Sequence, residues 1–134
     1  MKITPDLVIF VTGGASGLGE ETVRMLHARG CKLSIADMNE DKMNSLRNEL
    51  GPERLICFKC DVSVEEDVKN AIKGTVDKFG AIHVALASAG VSWPNMTLTS
   101  KSSLDMKLFK KIFDINVFGS MYVAKYAAEF MSKN

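Results

Sequence analysis

Leu7-Val8-Ile9-Phe10-Val11-Thr12-Gly13-Gly14-Ala15-Ser16-Gly17-Leu18-Gly19 is the stretch that decides the fold. Residues 7–11 are continuously apolar, the pattern of a short strand buried on both faces. Glycines then cluster at 13, 14, 17 and 19 before a helical pattern begins. Gly13 permits a tight turn off the strand, Gly17 lets the backbone approach a pyrophosphate, and Gly19 lets the helix pack close. The spacing G-x-x-x-G-x-G differs from the commoner G-x-G-x-x-G, but the physics is shared. Unpaired N–H groups at the helix start and the helix dipole both favour an anionic phosphate. The Ser16 hydroxyl and the Leu18 N–H are the candidate phosphate donors.

Outward from this loop, apolar runs alternate with helical stretches. Residues 17–29 have helical spacing, with Val23, Met25 and Leu26 expected to face inward and Gly30 to end the helix. A second strand is expected at 32–36. The helix after it is capped by Asn39 and runs to about Leu50, where Gly51-Pro52 breaks it. A third strand is expected at 55–60. Ser63-Val64-Glu65-Glu66 reads as a capping box opening a helix over 64–79. A fourth strand comes next at 82–87. A polar loop, roughly 91–103, contains Trp93-Pro94-Asn95. The last helix is expected to start near Ser102 or Ser103. Its expected apolar face is Leu108, Ile112, Phe113, Ile115, Val123, Phe130 and Met131.

This alternation with short connections predicts an α/β fold. It is a Rossmann-type, three-layer, doubly wound parallel sheet with strand order 3-2-1-4, ending before a fifth strand. The expectation is one dinucleotide-binding domain over 1–134. A flavodoxin-type domain such as a response regulator is disfavoured, because it has no need of clustered glycines after its first strand.

The 17 basic and 16 acidic residues leave a formal charge of +1, so no one-sign field draws in nucleic acid or an anionic membrane. No apolar stretch is long enough to span a bilayer, and Lys2 alone does not make the charged start of a signal peptide. The three cysteines are an odd count, which points to reduced thiols in the cytoplasm, with the mitochondrial matrix as the alternative. Cys57-Phe58-Lys59-Cys60 has C-x-x-C spacing. A zinc site wants four ligands, however, and His27 and His83 are isolated, so no metal is expected. In a strand, residues three apart face opposite ways, so the two cysteines read as packing residues. The methionines read as core filler.

Asp37 closes the second strand about twenty residues after the glycine loop, where an acid binds the adenosine ribose hydroxyls. The bland alternative is a helix-cap carboxylate. Met38 is next, and the glycine loop carries no Arg or Lys, so a 2′-phosphate meets a carboxylate and no cation. That favours NAD over NADP. Asp61 stands where it can accept from the adenine amino group. Gly90, after Ser88-Ala89, leaves room for a ribose. All of these lie at the carboxyl ends of the strands, where open α/β sheets bind ligands.

Thr12-Gly13-x-x-x-Gly17-x-Gly19, Asp37, Asp61-Val62, Ser88-Ala89-Gly90 and Asp114-Ile115-Asn116-Val117 together resemble the short-chain dehydrogenase/reductase family over the whole chain. Gly-Gly-Ala-Ser-Gly-Leu-Gly, the Lys-Phe-Gly before the fourth strand and the long loop before the last helix resemble, more narrowly, the type 2 3-hydroxyacyl-CoA dehydrogenases. The resemblance implies hydride transfer between NAD and a secondary alcohol or ketone, with a 3-hydroxyacyl thioester as the narrower substrate. The cofactor-binding set from motifs and resemblance is Thr12, Gly13, Ser16, Gly17, Leu18, Gly19, Asp37, Asp61, Val62, Ser88, Ala89 and Gly90. Asn116 matches the family's helix asparagine, which helps hold a water in the proton relay; its structural alternative is a satisfied helix–helix contact. The family usually has Asn-Ala-Gly where this chain has Ser88-Ala89-Gly90. The resemblance also implies a homodimer or homotetramer built through the last helix.

The family's proton chemistry uses a Tyr whose pKa is lowered by a Lys four residues on, plus a Ser on the fifth strand. Of the two tyrosines, Tyr122 is followed at that spacing by Tyr126, and Tyr126 by Phe130, so these 134 residues hold no Y-x-x-x-K. Tyr122 and Lys125 can share a helix face, but they lie on the helix of Asn116, and Tyr122 reads as a packing or subunit-contact residue. The expectation is the N-terminal half of an enzyme, inactive by itself, with the fourth strand as an exposed sheet edge. The alternative is a non-enzymatic module that binds NAD or a partner.

Overall fold

The computed structural model describes residues 2–134. The elements run β1 (Val8–Thr12), α1 (Gly17–Ala28), β2 (Lys32–Asp37), α2 (Glu40–Leu50), β3 (Leu55–Lys59), α3 (Glu65–Phe79), β4 (Val84–Ala87), α4 (Met106–Phe113), a π-helical segment (Asp114–Phe118) and α5 (Gly119–Met131). The strands are all parallel and ordered β3-β2-β1-β4. Thr12 lies between Ala36 and Ala87, so the carboxyl ends of the central strands finish level with one another.

Each face of the sheet has its own core, which makes three layers. Ile9, Val11, Leu33, Ile35 and Leu55 pack against Val23 and Leu26 of α1 and Met43 and Leu46 of α2. Phe10 and Ala36 pack on the other side against Val68 and Ile72 of α3 and Val123 and Tyr126 of α5. The strand alternation assigns the faces. Cys57 accordingly packs against the first core and Cys60 belongs to the second. Both thiols are free. Burial pushes Cys57 up to about 11. Burial, then the charges of Asp67, Asp61 and Asp37, push Cys60 up to about 12. A raised pKa disfavours the thiolate, the form that exchanges disulfides and binds metals. In the second core Thr75 and Ser34 form a buried polar pair: Thr75 Oγ1 is 2.7 Å from Ser34 Oγ and 2.8 Å from Ala71 O.

Four local expectations change. Met25 is 49 % exposed, because the inward stripe of α1 is carried by Gly19, Val23 and Leu26. The capping box does not close. Val64 is the N-cap of α3 and makes no side-chain bond. Ser63 instead donates from N and Oγ to Asp61 Oδ1, at 2.9 and 2.6 Å. The Asp61 carboxylate, two residues upstream, takes the Ser63 N–H that Glu66 would accept in a capping box, in a local side-chain-to-backbone turn. The last helical stretch begins at Met106, capped by Asp105, which accepts from Lys107 N and Leu108 N. Ser103 is bridged back to Leu98, and Leu104 N donates to Thr97 O, so the chain there makes a small hairpin.

The π-helical segment then inserts an extra residue into the turn and rotates α4 relative to α5. Ile115, Phe130 and Met131 reach the second core. Phe113, expected inward, is 44 % exposed and stacks on Phe109 with ring centroids 5.0 Å apart. β4 pairs only with β1 in this sheet and is its edge, as expected. Among the described residues, no helix is long and apolar enough to cross a membrane.

Candidate functional site

The glycine loop leaves β1 through Gly13, whose φ of +67° favours glycine. Gly13 N donates to Ala36 O at 2.8 Å, which ties the turn to β2. A Cβ on Gly13 would sit 2.8 Å from the Ala89 backbone, so the end of β4 presses on the turn from the other side. A Cβ on Gly19 would fall on Gly13 O itself, and this closeness seats the first turn of α1 on the loop. Gly17, at φ +52°, is different: a Cβ there would meet nothing within 4 Å. Its backbone faces open space, as a backbone that must approach a ligand should.

The amides of Gly17, Leu18 and Gly19 have no backbone acceptor among the described residues. They are the orphan donors of a helix start. Ser16 is the N-cap but makes no side-chain capping bond, so its hydroxyl is free as well. Asp37 reaches across from β2. Its Oδ2 accepts from Ala15 N at 3.1 Å and its Oδ1 from Asn39 N at 2.9 Å. The cap of α2 is Asn39, which accepts from Lys42 N, so Asp37 is not the helix cap. It braces the glycine loop and keeps lone pairs for a ligand.

A cleft of about 440 Å³ opens at this edge of the sheet, within the range of small-molecule sites. Of the expected cofactor residues, Gly13, Ser16, Gly17, Leu18, Gly19, Asp37, Asp61, Val62, Ser88, Ala89 and Gly90 line it. Thr12 does not. It is buried behind the wall, where its Oγ1 accepts from Ala89 N at 3.3 Å and holds the end of β4 in place. Ala36, Met38, Cys60, Val91 and Ile115 also line the cleft and were missed. Met38 and Cys60 directly neighbour residues the motifs picked out, which was a usable signal. Val91, next to Gly90, and Ile115, inside the Asp114–Val117 motif, carried the same signal.

Asn116 lies on the π-helical segment and clamps one peptide. Its Oδ1 accepts from Val91 N and its Nδ2 donates to Val91 O, both at 2.8 Å. This is a helix-to-loop clamp at the base of the 91–105 loop, not a helix–helix contact. Gly90 fits under it, with a Cβ there 3.3 Å from Asn116 Oδ1. Asn116→Ala is therefore expected to speed hydrogen exchange at Val91 and protease cleavage in residues 91–105, while the core melts within about 1 kcal/mol of the original. Exchange unchanged at Val91 would contradict the clamp. Lys125 takes no part in a Tyr122 pair. Its Nζ and Tyr126 Oη both bond Glu65 Oε1 at 2.8 Å, fastening α5 to the start of α3.

Compared with known proteins, residues 7–134 match the model of the family described as short chain dehydrogenase. The chain belongs to the short-chain dehydrogenase family. Short chain aldehyde dehydrogenase 1 of Euphorbia lathyris is 39% identical over 128 residues, covering 92% of this chain and 43% of that protein. (+)-Borneol dehydrogenase 2 of Salvia officinalis is 40% identical over 125 residues, covering 92% of this chain and 44% of that protein. This short-chain dehydrogenase thus spans under half the length of these curated relatives. A solved short-chain dehydrogenase/reductase from Brucella melitensis, a glucose/ribitol dehydrogenase, superposes with a TM-score of 0.89 at 24% identity. It covers 98% of this chain and 54% of its own, and this likeness shows the fold. The family implies a nicotinamide cofactor. The cleft fits one: open space at Gly17, unpaired amides at the helix start and a carboxylate at the end of β2.

Proposed function

We propose that these 134 residues are a single NAD-binding domain of a short-chain dehydrogenase whose whole protein moves a hydride between NAD and a secondary alcohol or ketone. Asp37 carries the preference for NAD: it lines the cleft while anchored to the glycine loop through Ala15 N. A carboxylate held there accepts from ribose hydroxyls and repels a 2′-phosphate.

The bound cofactor supplies the hydride acceptor or donor. The chain's own residues bind and orient it. The Gly17–Gly19 amides and Ser16 take the pyrophosphate, Asp61 and Val62 the adenine, and Ser88, Ala89 and Gly90 the ribose near the reacting end. Asp61 Oδ1 is used on Ser63, which leaves the other oxygen for the adenine amino group. Ser88 stands in for the family's Asn and can still donate and accept. Asn116, matched by resemblance to the catalytic asparagine, acts as a positioning residue through Val91, since both ends of its amide are used there.

Relatives named for borneol and aldehyde dehydrogenation support an alcohol–carbonyl pair. A 3-hydroxyacyl thioester is the narrower substrate to assay first, on the motifs that resemble that branch. The exposed Phe109, Phe113, Val117 and Met121 give α4, the π-helical segment and α5 an apolar face for a second copy. The same face favours a second reading, a module that binds NAD and a partner without turnover. Three free cysteines favour a reducing compartment, the cytoplasm or the mitochondrial matrix.

Calorimetric titration and size exclusion test these readings. The chain is expected to bind NAD more tightly than NADP and to form no NADH from secondary alcohols or 3-hydroxyacyl thioesters, because these residues hold no Y-x-x-x-K. Absent NAD binding would sink the site, and steady NADH formation would sink the expected inactivity. A monodisperse, tightly binding species would favour the module reading.

A further inference from the structure

Beside the ribose end of the cleft lies an ion pair that the proposed function leaves unused. β2 and β3 are in register with Asp37 opposite Lys59, so the two side chains leave the same face of the sheet. Lys59 is the cation that β3 carries to the side of Asp37. It does not pair with Asp37. Its Nζ lies 2.9 Å from Glu40 Oε2, on the first residue of α2. Asp37 Oδ1 holds Asn39 N at 2.9 Å, so Asp37, the Asn39 cap and Glu40 form one continuous turn. Met38, within that turn, lines the main cleft and also a shallower cavity shared with Asn39, Glu40 and Asp41. Two of the four residues that wall this second cavity, Glu40 and Asp41, are acidic.

We propose that Glu40 is a second determinant of cofactor choice, acting by holding Lys59 away from the place a 2′-phosphate would occupy. The inference rests on the cleft being the NAD site. A phosphate group brings a charge of about −1.5 to −2 at neutral pH. It would meet Asp37 and Glu40 together, while the nearest sheet cation is already paired. The pair is a surface one, with side chains 63% and 56% exposed. Its partner can therefore be removed without harm to the core, and the released Lys59 can turn toward the cavity.

The test is titration with NAD and with NADP of the unaltered chain and of Glu40→Gln, Lys59→Met and the double variant. Glu40→Gln is expected to raise NADP affinity about 3- to 5-fold, the scale of one exposed ion pair, with NAD affinity changed by less than about 2-fold. The gain is expected to vanish in the double variant and to shrink as salt is raised. An unchanged NADP affinity in Glu40→Gln overturns the proposal. So does a gain that survives Lys59→Met, because it would then come from lost negative charge alone. If the unaltered chain binds neither cofactor, the site reading itself falls. If it binds NAD and only the Glu40 arm fails, that reading stands and this inference alone is wrong.

Discussion

Gly19→Ala is expected to lower the unfolding free energy by about 3 kcal/mol, the upper range for forcing a methyl into packed structure, or roughly 10 °C in a thermal melt for a domain of this size. The added Cβ falls on Gly13 O and lies 2.8 Å from Gly13 C and 3.3 Å from Gly14 Cα. All three are backbone atoms, and none can swing aside as a side chain would. Gly13 cannot retreat either. It is bonded to Ala36 O on one side and abuts Ala89 on the other. The first turn of α1 must lift, and the unpaired amides lift with it, so NAD affinity is expected to fall by about tenfold or more, a loss of at least about 1.4 kcal/mol. Gly17→Ala is the informative contrast. Its Cβ meets nothing within 4 Å, leaving only the strain of φ +52°, about 1–2 kcal/mol. That variant is expected to lose cofactor binding out of proportion to its stability. Circular dichroism melts and calorimetry on both separate the two effects. Equal melts for the two variants would contradict the packing argument.

Asp37→Ala is expected to weaken NAD binding about 30-fold, or about 2 kcal/mol, the scale of hydrogen bonds to a charged group. It should also cost stability. Ala15 is buried, and its N–H would lose Asp37 Oδ2 as acceptor. An unsatisfied buried donor costs about 1–3 kcal/mol. Asp37→Asn keeps one carbonyl acceptor and is expected to restore part of the stability and less of the binding. Denaturant unfolding and titration with NAD read the two quantities separately. NAD affinity unchanged in Asp37→Ala would remove the ribose role, while the brace on the glycine loop would remain.

Where the sequence could be read directly, the signal was local. The apolar run before the glycines is β1, and the clustered glycines make the turn into α1. The cleft residues named from motifs lie at strand ends and in the turn into α1, because a parallel sheet brings its carboxyl ends, and the turns that leave them, to one edge. Ser63-Val64-Glu65-Glu66 misled because a capping box counts only its own four positions, and Asp61 competes from outside them. Phe113 misled because Leu108 and Ile112 already carry the half-buried stripe of α4, and Phe113 stands beside it and packs on Phe109 instead.

The sequence by itself determined the strand–helix alternation and the glycine turn, since both depend on spacing and on residues whose backbone limits act over a few positions, and the order 3-2-1-4, which short right-handed crossovers impose. The tertiary structure alone decided the rest. Asn116 spends its amide on Val91, Gly119 is drawn so close to Val62 that a Cβ would lie 2.9 Å from its side chain, and Lys59 turns to Glu40. These contacts join positions brought together by the fold, and no local preference of either partner encodes the meeting.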